Sequence, residues 1–274
     1  MKKLLFGTAG IPVQAKGSGV EAGLRTVKAL NLDCMELEFV HGVNMSEESA
    51  RKVGKLAKEM DLQLTAHGPY YINLNAKEEY KIKSSTNHIL ETARITTLCN
   101  GYSITFHPGF YISSTPEDTY DKIKNKLSAI VEIVKKQSNV WIRPETTGKA
   151  SQFGSLAELL RLSQEIEQVM PCVDFSHLHA REGKNNSYEE FKKILEEIEK
   201  KMGKRALKEM HVHVSGIEYG GKGEKNHLNL RDSDLKYKEL LRALKDFDAA
   251  GIVICESPNI EEDALLLKRT YEDI

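Results

Sequence analysis

Several short apolar segments of this chain each end in, or carry, a side chain that can bind a metal ion. Imidazole nitrogens and carboxylate oxygens are the usual ligands of catalytic zinc. Apolar runs of this length between helical patterns are typical of parallel strands. Ligands at the downstream ends of parallel strands meet at one face of a (β/α)8 barrel, so the pattern predicts a multinuclear metal centre. These residues are His67, His107, Glu145, Asp174, His177, His211, His213 and Glu256.

Each of these residues also has a purely structural interpretation. A histidine at a strand end is more often hydrogen-bonded than metal-bound, and Glu145 or Glu256 can pair with a lysine. His67 precedes Gly68-Pro69 and His107 precedes Pro108-Gly109, so the chain turns directly after each imidazole. A turn there predicts imidazoles exposed at a barrel mouth. One metal site explains all of these strand-end residues together, whereas otherwise each residue would need a structural explanation of its own.

Strand-like and helical patterns alternate along the whole sequence. No linker or low-complexity tract interrupts them, so we predict one domain over residues 1–274 with an α/β, (β/α)8 TIM-barrel fold. The stretch 216–231 is the longest without a clear pattern and is expected to be a loop. Strands are predicted near 4–8, 34–40, 62–67, 102–107, 139–145, 171–175, 208–214 and 251–256. Helices are predicted near 18–31, 46–60, 77–99, 116–137, 155–168, 187–202, 232–248 and 260–272.

Composition restricts the possible partners and compartment. The net charge of -1 provides no global basic field for nucleic acid, so polyanion binding would require a local patch. The four cysteines lie far apart without a CxxC pair, which favours reduced, buried thiols in a cytoplasmic protein. No apolar run is long enough to span a membrane. The sequence lacks GxSxG and GxGxxG motifs, so no serine hydrolase, dinucleotide or other organic cofactor is expected.

Other polar features carry weaker hypotheses. Glu36 and Glu38 alternate onto one face of the second strand, where they can add to the site or pair with lysines. His41, His88 and His179 match no ligand position and are expected to be solvated or capping residues. The glycine-rich 220–223 lacks P-loop spacing and is expected to be a flexible loop.

Taken together, the strand-end segments resemble those of endonuclease IV, a zinc-dependent apurinic/apyrimidinic endonuclease of the xylose-isomerase-like barrels. They occur in the family's order from strand three to strand eight. The resemblance implies a metal-dependent phosphodiester hydrolase of DNA repair, which cleaves the phosphodiester 5′ to abasic sites. The matching segments are Ala66–Leu74 (AHGPYYINL), Phe106–Gly109 (FHPG), Pro144–Gly148 (PETTG), Val173–His177 (VDFSH), 211–213 (HVH) and Cys255–Pro258 (CESP).

The resemblance implies how the first two zinc ions are held. His67, His107 and Glu145 are assigned to the first zinc. Glu145 also binds the second zinc, together with Asp174, Glu256 and a histidine of strand seven. Glu145 and Glu256 are therefore the carboxylates expected to act in catalysis, through the metals that they bind.

The strand-seven ligand and the third zinc follow less directly from the resemblance. His213 precedes an aliphatic residue and a polar turn, as the family ligand does, and His211 is the alternative. His177 is assigned to the third zinc. The family completes that site with an Asp-x-His pair, where this chain offers His227 and Glu224. The resemblance implies two or three zinc ions, with manganese as an alternative metal.

DNA recognition follows the family pattern only in part. Tyr70 matches a family tyrosine that inserts at the lesion. The family's basic loop after strand two corresponds here to 39–44 (FVHGVN), which has no arginine. The expected partner is DNA containing abasic sites, and the expected state is a monomer.

Two other functions remain open on the sequence. A metal-dependent sugar isomerase or epimerase on the same barrel would use one metal, held by Glu145, Asp174, His213 and Glu256. A nucleic-acid-binding barrel with degenerate metal sites would not be an enzyme. The additional histidines favour the endonuclease over the sugar enzyme, and the complete ligand sets argue against the binding protein.

Overall fold

A computed structural model of the protein describes residues 1–112 and 115–274 as two compact units. Whether residues 1–274 fold as the single domain predicted above stays a prediction. Unit 1 comprises Met1–Met35, Gly148–Ala150 and Cys172–Ile274, and unit 2 comprises Glu36–Thr147 and Ser151–Pro171.

Unit 2 is built on the parallel strand order β6-β4-β3-β2. Strands β5 and β7 form a separate two-stranded antiparallel pair in the same unit. The strands are β2 (Cys34–Glu38, which begins in unit 1), β3 (Gln63–His67), β4 (Ser103–Phe106), β5 (Gly109–Phe110), β6 (Trp141–Pro144) and β7 (Gln152–Phe153). The helices are α2 (Glu47–Glu59), α3 (Glu79–Leu98), α4 (Pro116–Val134) and α5 (Leu156–Glu165).

Unit 1 is built on the parallel strand order β1-β12-β9-β8 and carries an antiparallel hairpin, β10-β11. The strands are β1 (Leu4–Ala9), β8 (Val173–Asp174), β9 (Met210–Val214), β10 (Gly216–Gly220), β11 (Gly223–Leu228) and β12 (Gly251–Cys255). The helices are α1 (Gly19–Ala29), α6 (Phe175–Glu182), α7 (Tyr188–Met202), α8 (Lys204–Lys208), a 3-10 turn at Leu230–Asp232, α9 (Tyr237–Asp246) and α10 (Glu261–Asp273).

The helix starts follow the local sequence. Ser46 caps α2 by accepting a hydrogen bond from Ser49 N, as its sequence predicts. Ser187 also precedes a helix, but its hydroxyl donates to the Glu190 carboxylate and forms no backbone cap. Among the described residues, no helix combines the length and the apolar character that crossing a membrane requires.

The strand register of unit 2 separates an apolar row from a polar row. Ala66, Ile104 and Ile142 are paired across β3, β4 and β6 and are fully buried. The next residues along the same strands pair His67 with Thr105 and Thr105 with Arg143. Because successive side chains of a strand point to opposite faces, the polar row lies on the other face of the sheet. The sheet therefore presents ligand-type side chains on one face while it packs on the other.

One predicted loop is wrong. Residues 216–231 were expected to be irregular, but most of them form the β10-β11 hairpin. The glycine-rich 220–223 contains its turn, where Gly223 has φ +92° and where a Cβ atom would lie 2.2 Å from Gly148 O. The hairpin is polar and short of β-branched residues, so alternation of apolar residues could not reveal it.

Candidate metal centre

Unit 2 brings together three of the predicted ligands. His67 ends β3, His107 follows β4 and Glu145 follows β6. One ligand atom of each lies within 4.8 Å of the others. The Glu145 Oε2 atom lies 3.1 Å from His67 Nε2 and 3.3 Å from His107 Nε2. Two imidazoles and a carboxylate thus converge on one point, which is a donor set suited to zinc.

Backbone hydrogen bonds beyond the strand ends hold these ligands in place. Gly68 N donates to Thr105 O, and Glu145 N donates to Phe106 O. His67 Nδ1 lies 2.6 Å from Gly68 O, which can only accept, so Nδ1 carries the proton. The fixed tautomer leaves Nε2 directed towards Glu145. A ligand histidine whose other nitrogen donates to a carbonyl is the usual arrangement at metal sites.

Electrostatics of this group favour a bound cation. Burial would lower the pKa of His67, but its hydrogen bond to Glu145 and the charges of Glu145, Glu38 and Glu36 outweigh that effect. The pKa rises to about 10. Glu145 is fully buried, and a buried carboxylate is costly without a compensating charge. Positive charge is therefore stabilised where the ligands converge, and a divalent cation satisfies this requirement.

Unit 1 brings together a second set, Asp174, His213 and Glu256. Their ligand atoms lie within 4.8 Å of one another. Asp174 is the strand partner of His213, and His213 Nδ1 lies 3.1 Å from Glu256 Oε1. Asp174 and His213 are fully buried, and the Glu256 side chain is 12% exposed. One imidazole and two carboxylates form a donor set that fits a divalent metal.

A third set in unit 1 surrounds His177. Asp174 caps α6, and its Oδ1 atom accepts a hydrogen bond from His177 N at 2.8 Å. His177 Nε2 lies 3.4 Å from His227 Nε2 and 3.5 Å from Glu224 Oε2. His227 Nδ1 lies 3.2 Å from Glu256 O, which fixes its tautomer and leaves Nε2 facing His177. The residues predicted for the third metal are thus adjacent.

A β-bulge explains how Glu224 joins this set. In the hairpin, Tyr219 pairs with Glu224 while Glu218 pairs with Asn226, so Lys225 is an extra residue. An extra residue shifts the alternation of side chains by one position. Glu224 and His227 therefore point to one face although they are three residues apart. The bulge was not apparent from the sequence.

The two strand-seven histidines separate clearly. His213 lies with Asp174 and Glu256, whereas His211 lies with Cys172 and His213, one residue pair deeper along β9. The rings of His211 and His213 are 5.0 Å apart, edge to face. His211 and Cys172 are fully buried. The geometry thus agrees with the preference for His213, and the ligand roles themselves stay predictions.

Comparison with known proteins places this site in a family. The sequence model described as "Xylose isomerase-like TIM barrel" matches residues 24–270. The chain belongs to this xylose isomerase-like TIM barrel family. The predicted (β/α)8 fold is thereby confirmed, and so is the resemblance to the xylose isomerase-like barrels.

Relatives within the family differ in what their names state. An uncharacterized protein of Methanocaldococcus jannaschii, MJ0133, is 46% identical over 273 residues, covering 99% of this chain and 98% of its own. The probable endonuclease 4 of Bacillus subtilis is 26% identical over 216 residues, covering 76% and 71% respectively. The closer of these two relatives therefore names no activity, and the endonuclease is a distant one.

Solved structures with a similar fold include an endonuclease and an epimerase-like protein. Endonuclease IV from Thermus thermophilus has a TM-score of 0.72 at 18% identity, covering 97% of this chain and 98% of its own. A D-tagatose 3-epimerase-like protein has a TM-score of 0.73 at 19% identity, covering 93% of each chain. At these identities the likeness shows the fold alone and no activity.

Outside the ligand sets, unit 2 carries an exposed row of rings that the sequence did not reveal. Tyr70 is 57% exposed. Its ring centroid lies 5.9 Å from that of His41 and 5.5 Å from that of Tyr71, whose ring lies 5.1 Å from His88. His41 and His88, expected to be solvated or capping residues, thus take part in an aromatic row. His179, expected to have the same role, is instead buried and lies 3.0 Å from Asp234.

Proposed function

We propose that the protein is a zinc-dependent endonuclease of the endonuclease IV type, which hydrolyses the phosphodiester 5′ to abasic sites in DNA. The observation that carries the proposal is the number of ligand sets. A single-metal sugar enzyme needs one set, yet the described residues provide His67, His107 and Glu145 in unit 2 and two further sets in unit 1.

The zinc ligands in this proposal follow the observed groups. The group of His67, His107 and Glu145 binds one zinc. Asp174, His213 and Glu256 bind another. Zinc ions supply Lewis-acid stabilisation of the phosphate oxygens and activate water for attack on phosphorus.

The third ion is the part of the proposal most specific to this chain. His177 and His227 bring two imidazoles together, and Glu224 replaces the aspartate of the family pair. Two imidazoles and a carboxylate are again a zinc donor set. Three sets of this kind are what a trinuclear phosphodiesterase requires.

The chain's own residues then position the substrate. Backbone carbonyls fix the tautomers of His67 and His227, so these ligands are oriented before substrate binds. His107, with a side chain 23% exposed, is the most accessible member of its group and marks the side from which substrate approaches. Tyr70 projects from the same βα-loop that follows His67, where its ring can stack at the lesion.

A combined metal and nicking assay tests the proposal. Purified protein is analysed for zinc and manganese, then incubated with a duplex that holds one abasic site. A matched duplex without the lesion and a reaction with EDTA serve as controls. We expect zinc in the protein and a single nick 5′ to the lesion. Zinc-loaded protein that leaves the abasic duplex intact contradicts the proposal.

One observation favours a second candidate, the sugar isomerase or epimerase. Asp174, His213 and Glu256 alone offer the carboxylate and imidazole donors of a single-metal sugar site, and the D-tagatose 3-epimerase-like structure shares the barrel. Conversion of free ketoses by the zinc- or manganese-loaded protein, without nicking of DNA, would support this candidate. A protein that lacks both activities but retains DNA binding would instead be the non-enzymatic barrel.

A further inference from the structure

Strand β2 brings another carboxylate to the polar row of unit 2. Phe39 N donates to His67 O at 3.0 Å. Between β3 and β4, Gly68 N donates to Thr105 O, and the residue before Gly68, which is His67, is paired with Thr105. By the same relation, the residue before Phe39, which is Glu38, is paired with His67. Paired residues of neighbouring parallel strands carry their side chains on the same face, about 4.8 Å apart.

A second acidic residue lies behind Glu38. Glu36 is two residues earlier on β2, so it shares the same face. Glu36 is fully buried and Glu38 is half-buried. Glu36 and Glu38 thus share the sheet face that carries His67, whose own ligand group contains only Glu145 as a carboxylate.

Arg143 is a cation on the same row, since it is paired with Thr105. Its guanidinium group donates to Pro171 O and to the Tyr102 hydroxyl, and it lies over the rings of Tyr102 and Trp141. These contacts direct Arg143 away from the strand ends that carry the ligands. Glu38, as the strand partner of His67, therefore lies at the ligand end of the row, and Glu36 lies one layer deeper.

We propose that Glu38 strengthens divalent-cation binding by His67, His107 and Glu145, as a positioning carboxylate beside the ligand set. Its negative charge lowers the free energy of a cation bound at that point. Carboxylates that surround metal ligands typically contribute about 10- to 100-fold in affinity. The inference rests on the metal-binding part of the proposed function and is independent of the DNA substrate.

The first test measures zinc affinity. Apoprotein is titrated with Zn²⁺ against a chromophoric chelator, and the site of unit 2 is identified as the zinc that His107→Ala loses. Glu38→Gln should weaken that site about 10-fold or more, and Glu38→Asp should restore part of the loss. Glu36→Gln is the matched control on the same strand face, and it should change the affinity less than Glu38→Gln does.

The second test separates cation binding from a structural role. Glu38→Gln removes one of several neighbouring negative charges, so its melting temperature in EDTA should equal or exceed that of the parent. Its gain in melting temperature on adding Zn²⁺ should be smaller, because ligand binding stabilises in proportion to affinity. A structural glutamate would give the opposite result, a lower melting temperature in EDTA and an unchanged gain.

The outcomes distinguish this inference from the proposed endonuclease. If the parent binds zinc but does not nick abasic DNA, and Glu38→Gln weakens zinc binding, the inference stands without the endonuclease. If the parent nicks DNA and folded Glu38→Gln binds zinc with the parent's affinity, the inference fails alone. Parent protein that binds no zinc overturns both.

Discussion

Glu224 lies with its Oε2 atom 3.5 Å from His177 Nε2, at the edge of a hairpin whose bulge turns it towards the same point as His227. Glu224 N also donates to Gly148 O, so the backbone of the hairpin is fixed next to this contact. We propose that a glutamate three residues before the histidine here replaces the Asp-x-His pair of the family. The longer side chain and the bulge compensate for the change in spacing.

The first prediction follows from this contact. Glu224→Gln should reduce the zinc content by up to one ion per chain, because a neutral amide is a poor ligand for a divalent cation. Lys225→Ala is the matched control, since Lys225 pairs with the exposed Glu218 on the same hairpin. Metal analysis of both purified variants checks the prediction. Equal zinc content in Glu224→Gln and the parent would remove Glu224 from the ligand set.

The second prediction concerns Glu145. Glu145→Gln should lower abasic-site cleavage by about a hundredfold or more, because an amide cannot neutralise the cations that the carboxylate binds. The variant should keep its circular dichroism spectrum in EDTA, since the amide has the shape of the carboxylate and His67 becomes neutral once the charge that raises its pKa is gone. Nicking rates at saturating zinc measure the effect.

A control for this variant is Glu158→Gln, which removes a carboxylate from the capping box of α5 in the same unit. It should change stability little, because glutamine also completes a capping box, and it should leave cleavage near that of the parent. Nicking by Glu145→Gln at the rate of the control would exclude a role for Glu145 in the metal site.

The third prediction separates His213 from His211. His213→Ala should lose both zinc and activity, because His213 lies with Asp174 and Glu256. His211→Ala, next to the buried Cys172, should retain zinc and lose about 1–3 kcal/mol of unfolding free energy through packing. Metal analysis and chemical denaturation of the two variants decide. Zinc loss in His211→Ala alone would reverse the assignment.

The sequence predicted the elements of this fold well because the parallel strands are buried on both faces. Segments such as Ile252–Cys255 read as continuous apolar runs, and the predicted strand ends lie close to the observed ones. The hairpin at 216–228 was missed because its residues are polar and its bulge leaves no mark in the sequence. Short elements were also missed, among them helix α6, which begins directly after the two-residue strand β8.

The positions of the candidate ligands could be predicted from the sequence, whereas the residues that surround them could not. His67, His107 and Glu145 each follow an apolar strand, and strand ends coincide at one edge of a parallel sheet. The contribution of Glu38 depends on the register between β2 and β3, which hydrogen bonds determine and which the sequence does not state. Contacts between strands that are distant in sequence could therefore be inferred as a set, but not pair by pair.

The last prediction concerns recognition of DNA by the aromatic row of unit 2. Tyr70 is 57% exposed and touches the rings of His41 and Tyr71 at their edges. Its ring is therefore available at the surface for stacking. An exposed ring that is packed on both sides loses little conformational entropy when a base beside the abasic site stacks against it.

Tyr70→Ala should weaken abasic-duplex binding by about 1–3 kcal/mol, the usual contribution of aromatic stacking on bases, and should leave the zinc content unchanged. Tyr80→Ala is the control, because Tyr80 is also an exposed tyrosine of unit 2, at 70%, without a place in the row. Fluorescence anisotropy at several salt concentrations measures both variants.

Each phosphate contact contributes about -0.9 to the slope of log affinity against log salt concentration. A chain with a net charge of -1 makes few such contacts, so the parent's slope should be shallow. Equal binding by the two variants would show that Tyr70 has no role at the lesion, and a steep parental slope would show that lysines, rather than rings, carry the affinity.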